Sequence, residues 1–212
     1  MLRFFAFAAL ASTAACGPAL LDPEAAPPAT LRERLATDVT RLLVTTAAST
    51  GSLVAERKVE GAWASADVAL PYANGEMLIA ADAADAITIE GLQLTFDPIA
   101  IPPTVFSGKM AELRDVRVDL ADTVRATAVW NGEDEVTLTA SLPLSLAWSI
   151  SIEGGNTPLG MPTLPPVPVQ LTLRGADAHA EATLVGHAPG ELWTWASIVR
   201  LRDLDLAVTA AL

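Results

Sequence analysis

The chain has 212 residues, of which 51% are hydrophobic, and it carries 25 acidic against 13 basic residues, a formal net charge of −12. A surface with this excess of negative charge repels the phosphate backbone, so we expect no nucleic-acid partner. The length is sufficient for one domain of about 200 residues with its own hydrophobic core.

Residues 1–15 have the composition of an export signal. Arg3 gives a short basic start, the segment 4–11 is apolar, and small residues follow up to Cys16. The apolar segment is too short to cross a bilayer as a helix. Cys16 is the only cysteine of the sequence, and it therefore has no disulfide partner within the chain.

The sequence STAA directly before Cys16 is similar to the lipobox of bacterial lipoproteins, in which small residues precede the cysteine that receives the lipid. This resemblance implies that residues 1–15 are a signal peptide and that Cys16 becomes the acylated, palmitate-bearing first residue of a membrane-anchored protein. By the sorting rule of enteric bacteria, Gly17 is not a retention residue, which implies the outer membrane, with the domain in the periplasm; the inner membrane is the alternative in lineages with other rules. An ordinary secretory signal cleaved nearby is the alternative. Cleavage after residue 15 removes one of the 13 basic residues and changes the net charge from −12 to −13.

Residues 16–29 are rich in Pro and Ala and lack periodicity, so we interpret them as the lipidated cysteine and a flexible linker. Thr30 then predicts the start of a helix, because Glu33 three residues later completes a capping box. Gly51 is the predicted end of this helix. The apolar stripe is narrow, and we expect the helix to cover one side or end of a sheet. The apolar-stripe positions with helical spacing are Leu31, Leu35, Val39, Leu42 and Thr46.

From residue 62 onward apolar residues recur with a period of two, which is typical of strands. We therefore expect residues 30–212 to form one helix plus an antiparallel β-domain. The apolar phase changes at Gly91, which predicts a β-bulge. The pair Asn131 and Gly132 predicts a tight hairpin turn between neighbouring strands. The predicted strands are 62–70, 76–81, 86–97, 113–120, 124–130, 136–152, 166–174, 176–184 and 203–212.

The longest alternating segment is 136–152, in which every even position is apolar. A typical strand has about 5–6 residues, so we expect this one to curve. Pro143 predicts a bend or an edge position, while the apolar phase is unchanged across it. We expect the apolar face to line a cavity for an apolar ligand, with a plain packed core as the alternative. The predicted ligand-binding residues are Leu142, Leu144, Leu146, Trp148 and Ile150.

No catalytic arrangement is recognisable in the sequence. It has no GxSxG motif and only two histidines, so we expect no enzyme activity and no cofactor. Asp177, His179 and Glu181 share one face of a predicted strand, and we favour a solvated strand face over a metal site there. The acidic segment 133–135 is likewise interpreted as a charged hairpin tip rather than a calcium site.

Two tryptophans and two similar segments in the later part of the chain have both a structural and a functional interpretation. Trp193 and Trp195 are interpreted as core residues, with an amphipathic rim that touches lipid or ligand as the alternative. The segments 111–122 and 199–210 both contain Leu-Arg-Asp followed by alternating apolar residues. We interpret this similarity as a common property of alternating strands rather than as an internal repeat.

These elements predict a single, mainly β domain, in which an antiparallel curved sheet forms a half-open barrel or a sandwich with one N-terminal helix. In layout it resembles the periplasmic lipoprotein-sorting carriers and their outer-membrane receptor, in which a curved sheet with a helix covers an apolar cavity. We therefore expect a non-catalytic cell-envelope lipoprotein, held to the membrane by its lipid anchor, that binds an apolar small molecule or lipid. The alternative is an envelope structural or protein–protein interaction module without a ligand cavity.

Overall fold

The structure is a computed structural model, and it describes residues 30–81, 86–175, 179–196 and 198–212. The predicted signal peptide, Cys16 and the predicted linker lie outside these residues, as does Asp177. The described chain is mainly antiparallel β-structure with one short α-helix at its start.

The helix α1, Leu31–Thr37, begins as predicted. The Thr30 hydroxyl accepts a hydrogen bond from the Glu33 amide, and the Glu33 carboxylate accepts one from the Thr30 amide, which completes the capping box. The predicted continuation to residue 51 is wrong. Asp38 has an extended backbone (φ −141°, ψ 157°), and the chain beyond it enters the sheet, where its β-branched residues pack better than in a helix.

Fourteen strands are found in the described residues, each antiparallel to its neighbours. A 3₁₀ helix, Thr46–Ala48, separates the first two strands. In chain order the strands are β1 (Thr40–Val44), β2 (Thr50–Val59), β3 (Ala62–Ala69), β4 (Tyr72–Ala81), β5 (Ile87–Phe96), β6 (Ile99–Ile101), β7 (Ala111–Leu120), β8 (Val124–Trp130), β9 (Glu135–Leu142), β10 (Leu144–Ile152), β11 (Gly155–Gly160), β12 (Val167–Arg174), β13 (Glu181–Trp195) and β14 (Val199–Ala211).

Eight of these strands form a closed barrel, in the order β5, β4, β1, β14, β13, β12, β9 and β8. Ile87 of β5 pairs with Ala126 of β8, which closes the ring. Closure removes the free edges that an open sheet would have. The prediction of an antiparallel β-domain with one N-terminal helix is confirmed, and the closed barrel is more definite than the predicted half-open barrel or sandwich.

Helix α1 lies against one end of the barrel, at the turn between β8 and β9. The Leu31 amide donates to the Asp134 carboxylate at 3.1 Å, and the Arg32 amide donates to the Glu133 carbonyl at 3.1 Å. Leu31 and Leu35 are both buried in the core. The first turn of the helix is therefore tied to the predicted Asn-Gly hairpin, whose strands pair as predicted.

Toward the other end of the barrel the sheet separates into two walls. The β7 wall consists of β6, β7, β10 and β11, and it joins the barrel where β7 pairs with the second half of β5. The β2 wall consists of β3, β2, the first half of β14 and the second half of β13. The two walls face each other like the sheets of a sandwich, with apolar side chains between them.

Two irregularities mark the transition from the barrel to the walls. The predicted bulge at Gly91 is confirmed by a register shift between β4 and β5, and β5 pairs with β8 before the bulge and with β7 after it. Pro143 separates β9 from β10, so the predicted strand 136–152 is two strands, the second of which lies in the β7 wall. The apolar phase is preserved as predicted, since Leu142 and Leu144 are both buried.

Two further bulges lie within the walls, each at an aspartate. Asp115 in β7 and Asp203 in β14 have φ angles of 55° and 51°. The register shifts between β7 and β10 beside Asp115, and between β14 and β2 beside Asp203. Aspartate adopts this left-handed backbone conformation more readily than most residues other than glycine, which explains its presence at both bulges.

Candidate functional site

An apolar cavity of about 30 Å³ lies between the β7 wall and the β2 wall. This volume would hold about two water molecules, and it is far below the roughly 300–1,000 Å³ of a typical ligand pocket. Every side chain that lines the cavity is hydrophobic. The lining residues are Leu53, Leu70, Phe96, Ile99, Leu113, Val116, Val118, Leu146, Trp148, Leu164, Leu192, Leu201, Leu204 and Leu206.

The five predicted ligand-binding residues are all buried, and two of them line this cavity. Leu146 and Trp148 of β10 form part of its wall. Leu142 lies at the end of β9 in the barrel, and Leu144 and Ile150 pack elsewhere in the core. Half of the other twelve lining residues come from β7 and β14. Alternation along one strand shows which face is apolar, but it does not show which distant strand lies opposite.

Trp148 joins the two walls through an aromatic contact. Its ring packs edge-to-face on Trp193 of β13, with ring centroids 4.7 Å apart and planes at 75°. The Nε1 atom of Trp148 is buried and has no hydrogen-bond acceptor in the part of the chain that the structure describes. Buried N–H groups normally have a partner. Trp148 lines the apolar cavity and therefore carries an unsatisfied buried donor.

The loop 102–110, between β6 and β7, fills the space between the two walls beyond the cavity. Its residues Val105 and Phe106 are buried. The guanidinium carbon of Arg57, on β2, lies 5.0 Å from the centroid of the Phe106 ring. Arg57 lies four residues beyond Leu53, which lines the cavity, and on the same face of the strand. The contact between Arg57 and Phe106 therefore connects the two walls farther toward their ends.

Tyr72 packs behind the wall of the cavity. Its ring centroid is 4.8 Å from that of Phe96, which lines the cavity. Its hydroxyl donates a long hydrogen bond of 3.4 Å to the Thr50 carbonyl. Burial raises the pKa of the Tyr72 phenol well above its usual value of 10.0. Tyr72 therefore stays neutral and adds no charge to this region.

The candidate metal site of the sequence analysis is only partly described. Asp177 lies outside the described residues, while His179 and Glu181 are exposed. Within the described ranges no group of three or more His, Cys, Asp or Glu side chains has the arrangement to hold a metal ion.

The acidic hairpin tip has structural partners. Asp134 accepts the hydrogen bond from the first turn of α1. The Glu135 carboxylate accepts a hydrogen bond of 2.8 Å from Arg174 Nε, and this contact lowers the pKa of the Glu135 carboxyl. The Glu133 carboxylate lies 3.6 Å from the Arg32 guanidinium of α1, so all three carboxylates connect the hairpin to neighbouring elements.

No α-helix within the described ranges has the length and hydropathy needed to span a bilayer. No family model matches the chain, and neither does any curated protein or solved structure with which it was compared. The functional inference therefore rests on the cavity between the two walls and on the side chains around it.

Proposed function

We propose that this protein is a cell-envelope lipoprotein, anchored through Cys16, that binds the hydrocarbon part of an apolar ligand or lipid between the β7 wall and the β2 wall and has no catalytic role. The observation that carries the proposal is the cavity wall, which consists of hydrophobic side chains alone. Transfer of hydrocarbon from water to such a wall is favourable by about 25 cal/mol for each Å² of apolar surface that is buried.

The volume of the cavity sets a condition on this function. A space of about 30 Å³ cannot hold an alkyl chain, so the walls must separate when the ligand enters. Separation breaks the apolar contacts between the walls, and the ligand replaces them. The net affinity is then reduced by the free energy needed to populate the open form.

The unpartnered donor of Trp148 favours a ligand that also carries an acceptor. The Nε1 atom of Trp148 has no acceptor among the described residues. The closed cavity presents no polar surface, so a carbonyl or ester oxygen on the ligand would reach this donor only in the open form, where it would remove the cost of about 1–3 kcal/mol of an unsatisfied buried N–H. Acylated molecules combine such an oxygen with a hydrocarbon chain.

A binding assay with two matched variants tests the proposal. Leu146→Phe adds volume at the cavity wall, whereas Leu138→Phe adds the same volume to the barrel core, where Leu138 is fully buried and does not line the cavity. We expect the native protein to take up a fluorescent fatty-acid probe, Leu146→Phe to weaken uptake with little loss of stability, and Leu138→Phe to lose about 1–3 kcal/mol of stability by overpacking. Equal stability losses with no uptake by the native protein would contradict ligand binding.

The second candidate function is an envelope structural or protein-interaction module without a ligand. The small volume of the cavity favours it, because the walls are already in contact. So does Trp63 of β3, whose side chain is 36% exposed, with the guanidinium of Arg200 3.8 Å from its ring centroid. Absence of probe uptake by the native protein would make this candidate the better account.

A further inference from the structure

Arg57 differs from most arginines of this acidic protein, because it has no carboxylate partner in the described part of the chain. Its guanidinium lies over the Phe106 ring instead. The sequence has 25 acidic residues for 13 basic ones, so a cation without an ion pair is unexpected. The arginines with a carboxylate oxygen within 4.0 Å include Arg32, Arg41, Arg114, Arg117, Arg174, Arg200 and Arg202.

The position of Arg57 places its charge on the same wall as the cavity, beyond the end of the cavity. Leu53 lines the cavity, and Ala55 and Arg57 follow it at alternate positions, which lie on the same face of β2. Arg57 pairs with Val199 of β14, and Val199 is buried. Since directly opposed residues of antiparallel strands point to the same face, Arg57 belongs to the inner face of the β2 wall. At about 3.3 Å per residue, it lies roughly 13 Å beyond Leu53 along the strand.

The nearest carboxylate in sequence does not neutralise Arg57. Glu56 points to the outer face, where it is buried and forms ion pairs with Arg200 and Arg202 of β14. Both of its oxygens are therefore engaged on the side of the wall opposite to Arg57. The charge of Arg57 remains available on the inner face.

The loop that contains Phe106 is held by its own backbone hydrogen bonds and by Glu153 of the β7 wall, which pairs with Lys109 at 2.9 Å and donates its amide to the Met110 carbonyl. The backbone amides of Val105 and Phe106 donate to the carbonyls of Pro102 and Pro103, and the Lys109 amide donates to the Phe106 carbonyl. These hydrogen bonds would persist if the loop moved as a unit. The loop contacts the β2 wall through Phe106, which is 2% exposed and packs under Arg57, and ligand entry requires this contact to be exchanged for contact with another apolar group.

We propose that Arg57 binds the anionic head group of a single-chain amphiphile whose hydrocarbon chain lies between the two walls, once Phe106 has left the guanidinium. This inference rests on the proposed function and specifies its ligand class. A guanidinium presents parallel N–H donors that match a carboxylate or a phosphate. The head group would sit at the end of the walls, and the chain would extend from Arg57 past Ala55 to the leucines of the cavity.

The neighbouring residue provides a matched control. Lys58 also has no carboxylate partner among the described residues, but it is exposed and lies on the outer face of β2, opposite to Arg57 in side-chain direction. Arg57→Gln and Lys58→Gln remove the same charge from adjacent positions. Only the first removes it from the inner face.

The test uses the full chain with Cys16→Ser, which keeps it free of the lipid anchor, and measures displacement of a neutral fluorescent hydrophobic probe. The competitors are dodecanoate, dodecyl phosphate and dodecanol. We expect one or both anions to bind at least about tenfold more tightly than the alcohol, and the ratio between the two anions distinguishes a carboxylate from a phosphate ligand. Arg57→Gln should reduce the anion affinities to that of the alcohol, and Lys58→Gln should leave the preference intact.

Binding of dodecanol distinguishes a failure of this inference from a failure of the proposed function. If dodecanol binds and the anions bind no better, or if Arg57→Gln keeps the preference for anions, the head-group role of Arg57 is wrong while ligand binding stands. If none of the three competitors binds, both proposals fail. An unchanged affinity of Arg57→Gln for dodecanol shows that the variant is folded.

Discussion

Asp115 and Asp203 adopt the same left-handed backbone conformation within the same sequence, Leu-Arg-Asp, in opposite walls of the cavity. The leucines of these two segments, Leu113 and Leu201, both line the cavity. Each aspartate also accepts a hydrogen bond, at 3.1 Å from the Ser149 hydroxyl for Asp115 and at 2.6 Å from the Gly190 amide for Asp203. The shared sequence therefore forms a bulge in each wall.

This relationship predicts a specific cost for branched residues at the second bulge. Asp203→Val should lower the free energy of unfolding by about 1–3 kcal/mol, because a β-branched residue is strained at positive φ. It also leaves the Gly190 amide without its acceptor. Asp203→Asn keeps an acceptor and tolerates the left-handed conformation, so it should cost less. Urea unfolding of the purified variants measures both differences.

The control for this prediction is Asp205→Val, two residues further along β14. Asp205 is exposed, and its partner is the His187 ring nitrogen on the neighbouring strand. Its φ is not positive, so valine fits the strand, and the change should stay within about 0.5 kcal/mol of the native protein. Equal losses for Asp203→Val and Asp205→Val would show that the backbone conformation of Asp203 has no special cost.

Tyr72 makes the stability of the fold sensitive to alkaline pH. Burial raises the pKa of its phenol in the folded protein above the usual 10.0, so the folded form holds the proton where the unfolded form loses it. The contribution of Tyr72 to stability should therefore be constant below about pH 10 and fall above it by up to about 1.4 kcal/mol per pH unit. Tyr72 is the only tyrosine of the chain, and phenolate absorbance consequently reports on this residue alone.

Two observations would test the assignment to Tyr72. The phenolate absorbance of the native protein should rise together with the loss of its circular dichroism signal, rather than before it. In Tyr72→Phe the decline of stability above about pH 10 should be smaller. A phenolate signal that rises near pH 10 in a fully folded protein would contradict the burial of this side chain.

Cys16 is predicted to carry the lipid anchor. Mass spectrometry of the membrane-extracted protein should find acyl chains on this residue, which is the first residue after the predicted cleavage. Cys16→Ser should carry no acyl chain, because serine has no thiol to acylate. Recovery of the unmodified native protein in the soluble periplasmic fraction would contradict lipidation.

Leu35 and Val39 distinguish the observed helix from the longer one that their spacing predicts. Leu35 of α1 is 1% exposed, whereas Val39 follows the helix and is 50% exposed. Leu35→Ala should therefore cost about 2–5 kcal/mol through a cavity beneath the helix, and Val39→Ala less than about 0.5 kcal/mol. Thermal or urea unfolding measures both. Comparable losses for the two variants would favour the continuous helical stripe of the sequence analysis.

Local signals in the sequence identify the start of the helix, the bulge at Gly91, the Asn-Gly hairpin and the apolar face around Pro143. Each depends on the chemistry of a few adjacent residues, such as a capping side chain, a missing Cβ or a missing N–H. The end of the helix is set by a distant interaction, because Leu43 of β1 pairs with Ala211. No local pattern contains that pairing.

The candidate site is likewise predictable from the sequence only where it depends on adjacent residues. Leu146 and Trp148 belong to a periodic segment and are identifiable as inward-facing from the sequence alone. Their position beside Leu201 and Leu204 depends on the arrangement of β14 opposite β10, which is a property of the whole sheet. Arg57 cannot be identified from the sequence. What distinguishes it is that no carboxylate of the described residues lies within ion-pair distance of its guanidinium, and this depends on the fold.

The position of β14 in the sheet also fixes the order in which the protein can fold. This strand pairs with β13 along its length, with β2 beside its first half and with β1 at its end. A chain that is synthesised or translocated from its N-terminus presents the edges of β1, β2 and β13 before β14 exists to cover them. Neither the barrel nor the β2 wall can be completed until Val199–Ala211 arrives, so folding should be slow, cooperative and late, and a chain interrupted before β14 should aggregate through those edges.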